Sequence, residues 1–157
     1  MAIVHARVDE RLIHGQVAMV WTNTVGATRI IVVNDEAVKD DMIIAGLKMS
    51  KPAGVRLSIL SLKRAAEKFA EKDYEEDKVL LITKNIGDMA ALIRSGVPIK
   101  EFNVGNVAKR EGSRPVKKSV NLTETDIEDI REMTDMGVFV TAQMLPNESD
   151  QSILKML

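Results

Sequence analysis

The chain contains no cysteine, which removes disulfides, thiolate metal sites and cysteine nucleophiles together and fits a reducing compartment. With only two histidines beside that absence, a structural zinc site has no ligand set. Aromatic residues make up 3% of the chain, too few for the stacking platforms on which single-stranded nucleic acid is held. Neither sign of charge predominates: 22 basic residues stand against 23 acidic ones, for a net charge of -1. A protein that binds a phosphate backbone displays a basic excess or stripe instead. No apolar run approaches the ~18 residues needed to cross a bilayer. Residues 1–7 lack a charged leader followed by a long apolar core, so no signal peptide is expected. These absences predict a soluble, cytoplasmic protein, and residues 1–157 are expected to form one domain.

What is present is the composition of a globular protein, 45% hydrophobic and 29% charged. Residues 3–8, 29–33, 55–60 and 79–83 read as strands, and the apolar runs at residues 29–33 and 79–83 as strands buried on both faces of a parallel sheet. Helical periodicity follows each of them. After the first come Val17, Val20, Trp21 and Thr24, with Gly26 as a stop. After the second, Asn34-Asp35 is expected to cap a helix carrying Val38, Met42, Ala45 and Met49 inward. Ser61 starts a helix with Leu62, Ala65, Ala66 and Phe69 on one side, and Asn85 starts another with Ile86, Met89, Ala90 and Ile93. Residues 101–106 form a fifth strand and residues 108–115 a polar surface loop. A short strand is expected over 116–122. Thr123 to Asp126 resembles a capping box, with Ile127, Ile130 and Met133 inward behind it and Gly137 as the stop. A last strand covers 138–145 and a short helix follows Pro146. The methionines at helical spacing read as core filler. This alternation predicts an α/β fold: an open, doubly wound, mostly parallel sheet with helices on both faces. Ligands bind such sheets beyond the carboxyl ends of the strands, near the topological switch point. Residues 9–14, Asn34-Asp35, residues 83–85 and Gly105-Asn106 lie there.

Nucleotide chemistry, the common use of such a fold, lacks its motifs. There is no Gly-x-Gly-x-x-Gly turn after the first strand and no Walker A loop, and no Gly-x-Ser-x-Gly elbow for hydrolysis. The informative stretch is residues 7–17, where two arginines, two carboxylates and a histidine crowd a strand-to-helix turn. Phosphoryl transfer needs an in-line nucleophile and donors for three equatorial oxygens. Neutral imidazole at His14 is a competent nucleophile. The N–H groups of Gly15, Gln16 and Val17 would open a helix and point toward a dianion. Gly15 removes side-chain bulk there, and Arg7 and Arg11 offer planar, multidentate donors. On residues alone, an ordinary polar loop stays open, with Arg7 and Arg11 paired to Asp9 and Glu10 at little energetic consequence. His5 reads as structural or partner-facing, and Trp21 as core.

The string from Ala6 to Val17, ARVDERLIHGQV, resembles the active-site signature of the IIB components of the mannose/fructose/sorbose family of the bacterial sugar phosphotransferase system. Residues 30–35, 102–106 and 119–126 are similar to that family too, so the resemblance spans essentially the whole chain. It implies a protein-N(pi)-phosphohistidine–sugar phosphotransferase built on an open sheet of about seven mostly parallel strands. By that resemblance His14 takes a phosphoryl group on Nδ1 from a phosphorylated IIA protein. It then passes the group to a sugar moved by the membrane components IIC and IID. Arg11 matches a phosphate-site residue, Arg7 supports it, and Asp9 orients the loop or His14. No metal or organic cofactor is implied, and the sugar is not named by it. The other reading kept open is a regulatory domain of the same fold that holds an anion or phosphosugar without transferring it.

Overall fold

A computed structural model describes residues 2–157. Six parallel strands form the central sheet in the order β3-β2-β4-β1-β5-β8, with β1 Ile3–Asp9, β2 Arg29–Val33, β3 Arg56–Leu60, β4 Val79–Thr83, β5 Glu101–Asn106 and β8 Phe139–Thr141. A separate antiparallel hairpin, β6 Arg114–Lys117 and β7 Val120–Leu122, replaces the single strand expected over 116–122. The total of main-sheet strands is therefore close to the number the family resemblance implies. Helices α1 Gly15–Val25, α2 Asp41–Ser50, α3 Leu62–Ala70, α4 Ile86–Arg94 and α5 Glu124–Asp135 join them. Among the described residues no helix is long and apolar enough to cross a membrane.

The apolar runs are continuous because alternate residues serve two cores. Ile30, Val32, Leu80 and Ile82 face Trp21, Ala18 and Leu47 under α1 and α2. Ile31, Val33, Val79 and Leu81 face Phe69, Met89 and Ile130 under α3, α4 and α5. Local chemistry fixes most helix starts where the sequence places them. Ser61 and Asn85 accept N–H bonds from Arg64 and Asp88. Thr123 and Asp126 close a reciprocal capping box, a device whose Ala replacement typically costs about 1 kcal/mol. Gly26, Gly96 and Gly137 follow helix ends in the left-handed region.

The segment after β2 departs from expectation. Asn34 caps only a single 3-10 turn, Ala37–Lys39, by accepting from the Ala37 N–H. The helix proper begins at Asp41, where Asp40 accepts from Met42 and Ile43. That later start rotates the face: Leu47 is buried and Ile44 half-buried, while Met42 and Met49 are 85% and 87% exposed. In α1 the inward residues are Ala18, Trp21 and Thr22, with Val20 and Thr24 exposed. Met89 and Met133 fill the core as expected, but Met19, Met42, Met49 and Met136 do not.

All six strands point the same way, so one edge of the sheet gathers their carboxyl ends. The row Val33–Thr83–Val8–Val104 runs across β2, β4, β1 and β5. Just beyond it stand Asn34, Lys84, Asp9 and Asn106. The chain leaves β1 over the α1 face, whereas its neighbours β4 and β5 are followed by elements packed on the opposite face. The switch point of the sheet therefore falls at the end of β1.

Candidate active site at the end of β1

The β1–α1 loop is fastened from below and left bare above. Glu10 N–H donates to the Asn106 carbonyl at 3.0 Å and Leu12 N–H to the Asp9 carbonyl at 2.9 Å, and the Glu10 carboxylate accepts from the Ala108 N–H. Leu12 takes a left-handed φ of 60°, unusual for a side chain of its size. This turn sends Leu12 and Ile13 into the core beneath and leaves His14 exposed. Burial of two apolar side chains, about 2 kcal/mol each, opposes the strain of the turn.

His14 occupies the N-cap of α1 with extended backbone angles, and its side chain caps nothing. Its carbonyl accepts from Ala18 N–H. Among the described residues the N–H groups of Gly15, Gln16 and Val17 have no protein acceptor, and the first turn holds no acidic residue. An eleven-residue helix thus presents its positive end beside an exposed imidazole. Gly15 and Gln16 are exposed and Val17 half-buried. A Cβ at Gly15 would touch only the Ser50 carbonyl, at 4.0 Å, so the protein itself leaves that position open.

The two arginines sit in unlike surroundings. Asp9 is 1% exposed. Its Oδ1 accepts from the Arg11 backbone N–H at 3.0 Å and from Arg11 Nε at 3.1 Å, and its Oδ2 accepts from Arg11 Nη2 at 3.0 Å. Arg7 Nη2 reaches the same Oδ2 at 3.3 Å. The Arg11 side chain is 31% exposed and borders a cleft of about 330 Å³ with Glu10, Asn34, Glu36, Ser50 and Lys84. Arg7 is only 2% exposed and spends its donors inside, with Nη1 on the Gln143 carbonyl at 2.8 Å. Burial pulls its pKa below the ordinary guanidinium range, while the charge and hydrogen bond of Asp9 oppose that pull. Both arginines were expected to offer donors outward; only Arg11 stands where an external anion can reach it.

Residues distant in sequence complete the floor. Asn103 on β5 accepts from Gln143 N–H at 2.6 Å and donates to its carbonyl at 2.8 Å. Trp21 Nε1 donates to the Met144 carbonyl at 3.0 Å, and the Met144 sulfur lies 3.4 Å from Arg11 Nη2. Glu148 holds that segment by accepting from the N–H groups of Met144 and Leu145. Sequence reasoning singled out neither Gln143 nor Met144, and reached Asn103 only within the family-like segment 102–106. An Asn between Phe102 and Val104 in β5, and a Gln just beyond β8, were the available signal. Lys84 was singled out only as a strand-end residue and Asn34 as a strand-end residue and helix cap, and both line the cleft. His5 lies off the loop, its ring stacked on Trp21 at 4.5 Å and 8°. Among the described residues no group of three histidine or carboxylate side chains is arranged to hold a metal ion.

The arrangement suits a covalent anion carrier: an accessible nucleophile, free N–H donors after it, and one guanidinium at hand. Comparison with known proteins gives the family. The model of the PTS system sorbose subfamily IIB component matches residues 3–157. The fructose-specific EIIB component of Bacillus subtilis is 36% identical over 157 residues, covering 100% of this chain and 96% of that protein. The mannose-specific EIIAB component of Escherichia coli is 36% identical over 138 residues, 88% of this chain and 43% of that longer protein. The crystal structure of the IIBSor domain of the Klebsiella pneumoniae sorbose permease superposes with a TM-score of 0.94 at 33% identity, covering 99% of this chain and 96% of that one. The chain belongs to the sorbose-subfamily IIB components of the sugar phosphotransferase system.

Proposed function

We propose that this chain is a cytoplasmic phosphocarrier in which His14 takes a phosphoryl group from a phosphohistidine of a IIA protein and delivers it to a sugar held by the membrane components IIC and IID. The observation that carries the reading is the bare imidazole of His14 at the start of a helix whose first N–H groups lack acceptors. In the first transfer the donor's P–N bond breaks as a P–N bond forms to His14 Nδ1. The ring proton displaced from His14 returns to the donor imidazole. In the second transfer a sugar hydroxyl attacks phosphorus, the bond to His14 breaks, and the hydroxyl proton ends on the regenerated imidazole. The loose transition state spreads its charge over the three equatorial oxygens, where the N–H groups of Gly15, Gln16 and Val17 and the Arg11 guanidinium act as fixed donors. Asp9 and Arg7 hold Arg11 and the loop in place. No metal or organic cofactor enters either step.

The test is mass spectrometry of the chain after incubation with a phosphorylated IIA protein. A gain of ~80 Da is expected, labile in acid and stable in hydroxide. His14→Ala abolishes it and His5→Ala retains it. Labelling that survives His14→Ala refutes the assignment. Reversible phosphate or phosphosugar binding with no mass gain favours a regulatory anion-binding domain instead.

A further inference from the structure

Arg7 owes its position to a missing side chain. A Cβ built on Gly105 of β5 would meet Arg7 Cζ and Nη2 at 2.2 Å and Nη1 at 2.3 Å, well inside any real carbon contact. The φ of Gly105 is not in the left-handed region, so backbone conformation does not demand glycine there. The demand comes from the guanidinium lying against the strand, the use of an isolated strand glycine for close approach. The Trp21 ring faces the same guanidinium, with Cζ 5.4 Å from its centroid. Trp21 is itself fixed by its bond to Met144 and its stack on His5.

This placement matters because Asp9 is buried and shares two cations. Arg11, the exposed one, is the group that engages an arriving phosphoryl oxygen, and doing so weakens its hold on Asp9. A buried carboxylate stripped of every cation is strongly unfavourable. Arg7 has to remain on Asp9 for Arg11 to be free. We propose that Gly105 and Trp21 are positioning residues for phosphoryl transfer: they seat Arg7 as the standing counter-charge of Asp9, which releases Arg11 to the phosphoryl group. The proposal rests on the phosphocarrier reading and assigns a division of labour within that site.

A methyl group at position 105 displaces the Arg7 fork from Asp9 and from the Gln143 carbonyl, and Asp9 then retains Arg11. Gly105 is buried, so donor docking is untouched. In Gly105→Ala the rate constant for accepting phosphoryl from phospho-IIA is expected to fall about 100-fold, the scale of a displacement near 1 Å. The half-saturating donor concentration should stay within about twofold. Adding Arg7→Lys to Gly105→Ala should recover about tenfold, because a slim ammonium reaches Asp9 without a planar fork across residue 105. Transfer at the parental rate by Gly105→Ala, or a double variant no faster than it, overturns the proposal. If Gly105→Ala does not fold, Trp21→Leu carries the test, with the same slow transfer at unchanged half-saturation expected. Parental transfer by Trp21→Leu overturns the proposal. A second readout does not depend on transfer. In His14→Ala the Arg7 Nε–Hε resonance should carry a ring-current shift from Trp21, which Trp21→Leu or Gly105→Ala removes. Absence of labelling in the parent chain counts against the carrier reading, whereas an unmoved Arg7 resonance in these variants counts against the seating of Arg7.

Discussion

His5 and His14 are the two histidines of the chain, and burial gives them opposite chemistry. His14 is exposed to solvent. His5 has an Nε2 that is sealed from water and finds no partner among the described residues. Burial, reinforced by the charge of Arg7, lowers its pKa from 6.5 to about 4. The carboxylates of Glu101 and Asp150 line the same hollow beside Trp21 and do not reverse that direction. Between pH 4 and 6.5 the unfolded chain therefore binds more protons at His5 than the folded one, and stability rises with pH. The contribution is complete above 6.5 and is lost as pH falls toward 4, a difference of up to about 3 kcal/mol. His5→Phe keeps a ring against Trp21 and removes the titration. Urea unfolding at pH 5 and 7 should show a shallower pH dependence in the variant than in the parent. Equal slopes would place the titration elsewhere. At this scale the sequence was most legible where chemistry is local: His14, Asp9 and Arg11 lie within one turn of the chain. The buried fate of Arg7 was not, because Gly105, Gln143 and Met144 act on it across the fold and no short spacing announces them.

Among the elements, β4, β5 and α4 were readable because only one arrangement buries their apolar residues. In α4, Ile86, Met89, Ala90 and Ile93 form a single face and all are buried. Helix α2 was misread for the converse reason. Met42, Ile43, Ile44, Ala45, Leu47 and Met49 put apolar groups nearly all round it, so periodicity admits more than one inward face. The cap decides instead: the Asp40 carboxylate starts the helix after an added 3-10 turn and brings Leu47 to the sheet. The prediction is a contrast. Leu47→Ala should cost about 3 kcal/mol as a cavity-forming change, while Met42→Gln and Met49→Gln stay within about 0.5 kcal/mol of the parent. Denaturant titration of the three variants decides it, and a reversed order would restore the inward Met face.

Across the whole molecule, a parallel sheet separates two tasks by polarity. Its carboxyl edge carries the His14 loop, and its amino edge is closed by ions. Asp77, just before β4, binds Arg29 Nε of β2 at 2.9 Å and Arg56 Nη2 of β3 at 2.6 Å, with Thr28 at 3.3 Å. Three neighbouring strands are thus joined where each begins. Burial raises the Asp77 carboxyl, but the Arg29 hydrogen bond and the charges of Arg29 and Arg56 outweigh it and hold it below the ordinary value of 3.8. Its stabilisation is therefore present above pH 3.8 and is lost as pH drops through the lowered native value. Removing one partner leaves two guanidiniums without their acceptor, a loss of about 2 kcal/mol for hydrogen bonds to a charged group. Because Asp77 shares no hydrogen-bonding group with Asp9, Asp77→Ala should lower the free energy of unfolding by that amount. It should leave phosphoryl acceptance by His14 within about twofold of the parent. The readouts are equilibrium unfolding and single-turnover labelling by phospho-IIA on the same preparation. A variant slowed in labelling as much as Gly105→Ala would mean that the two edges are mechanically coupled, and that the site depends on the sheet as a whole and not on its own loop.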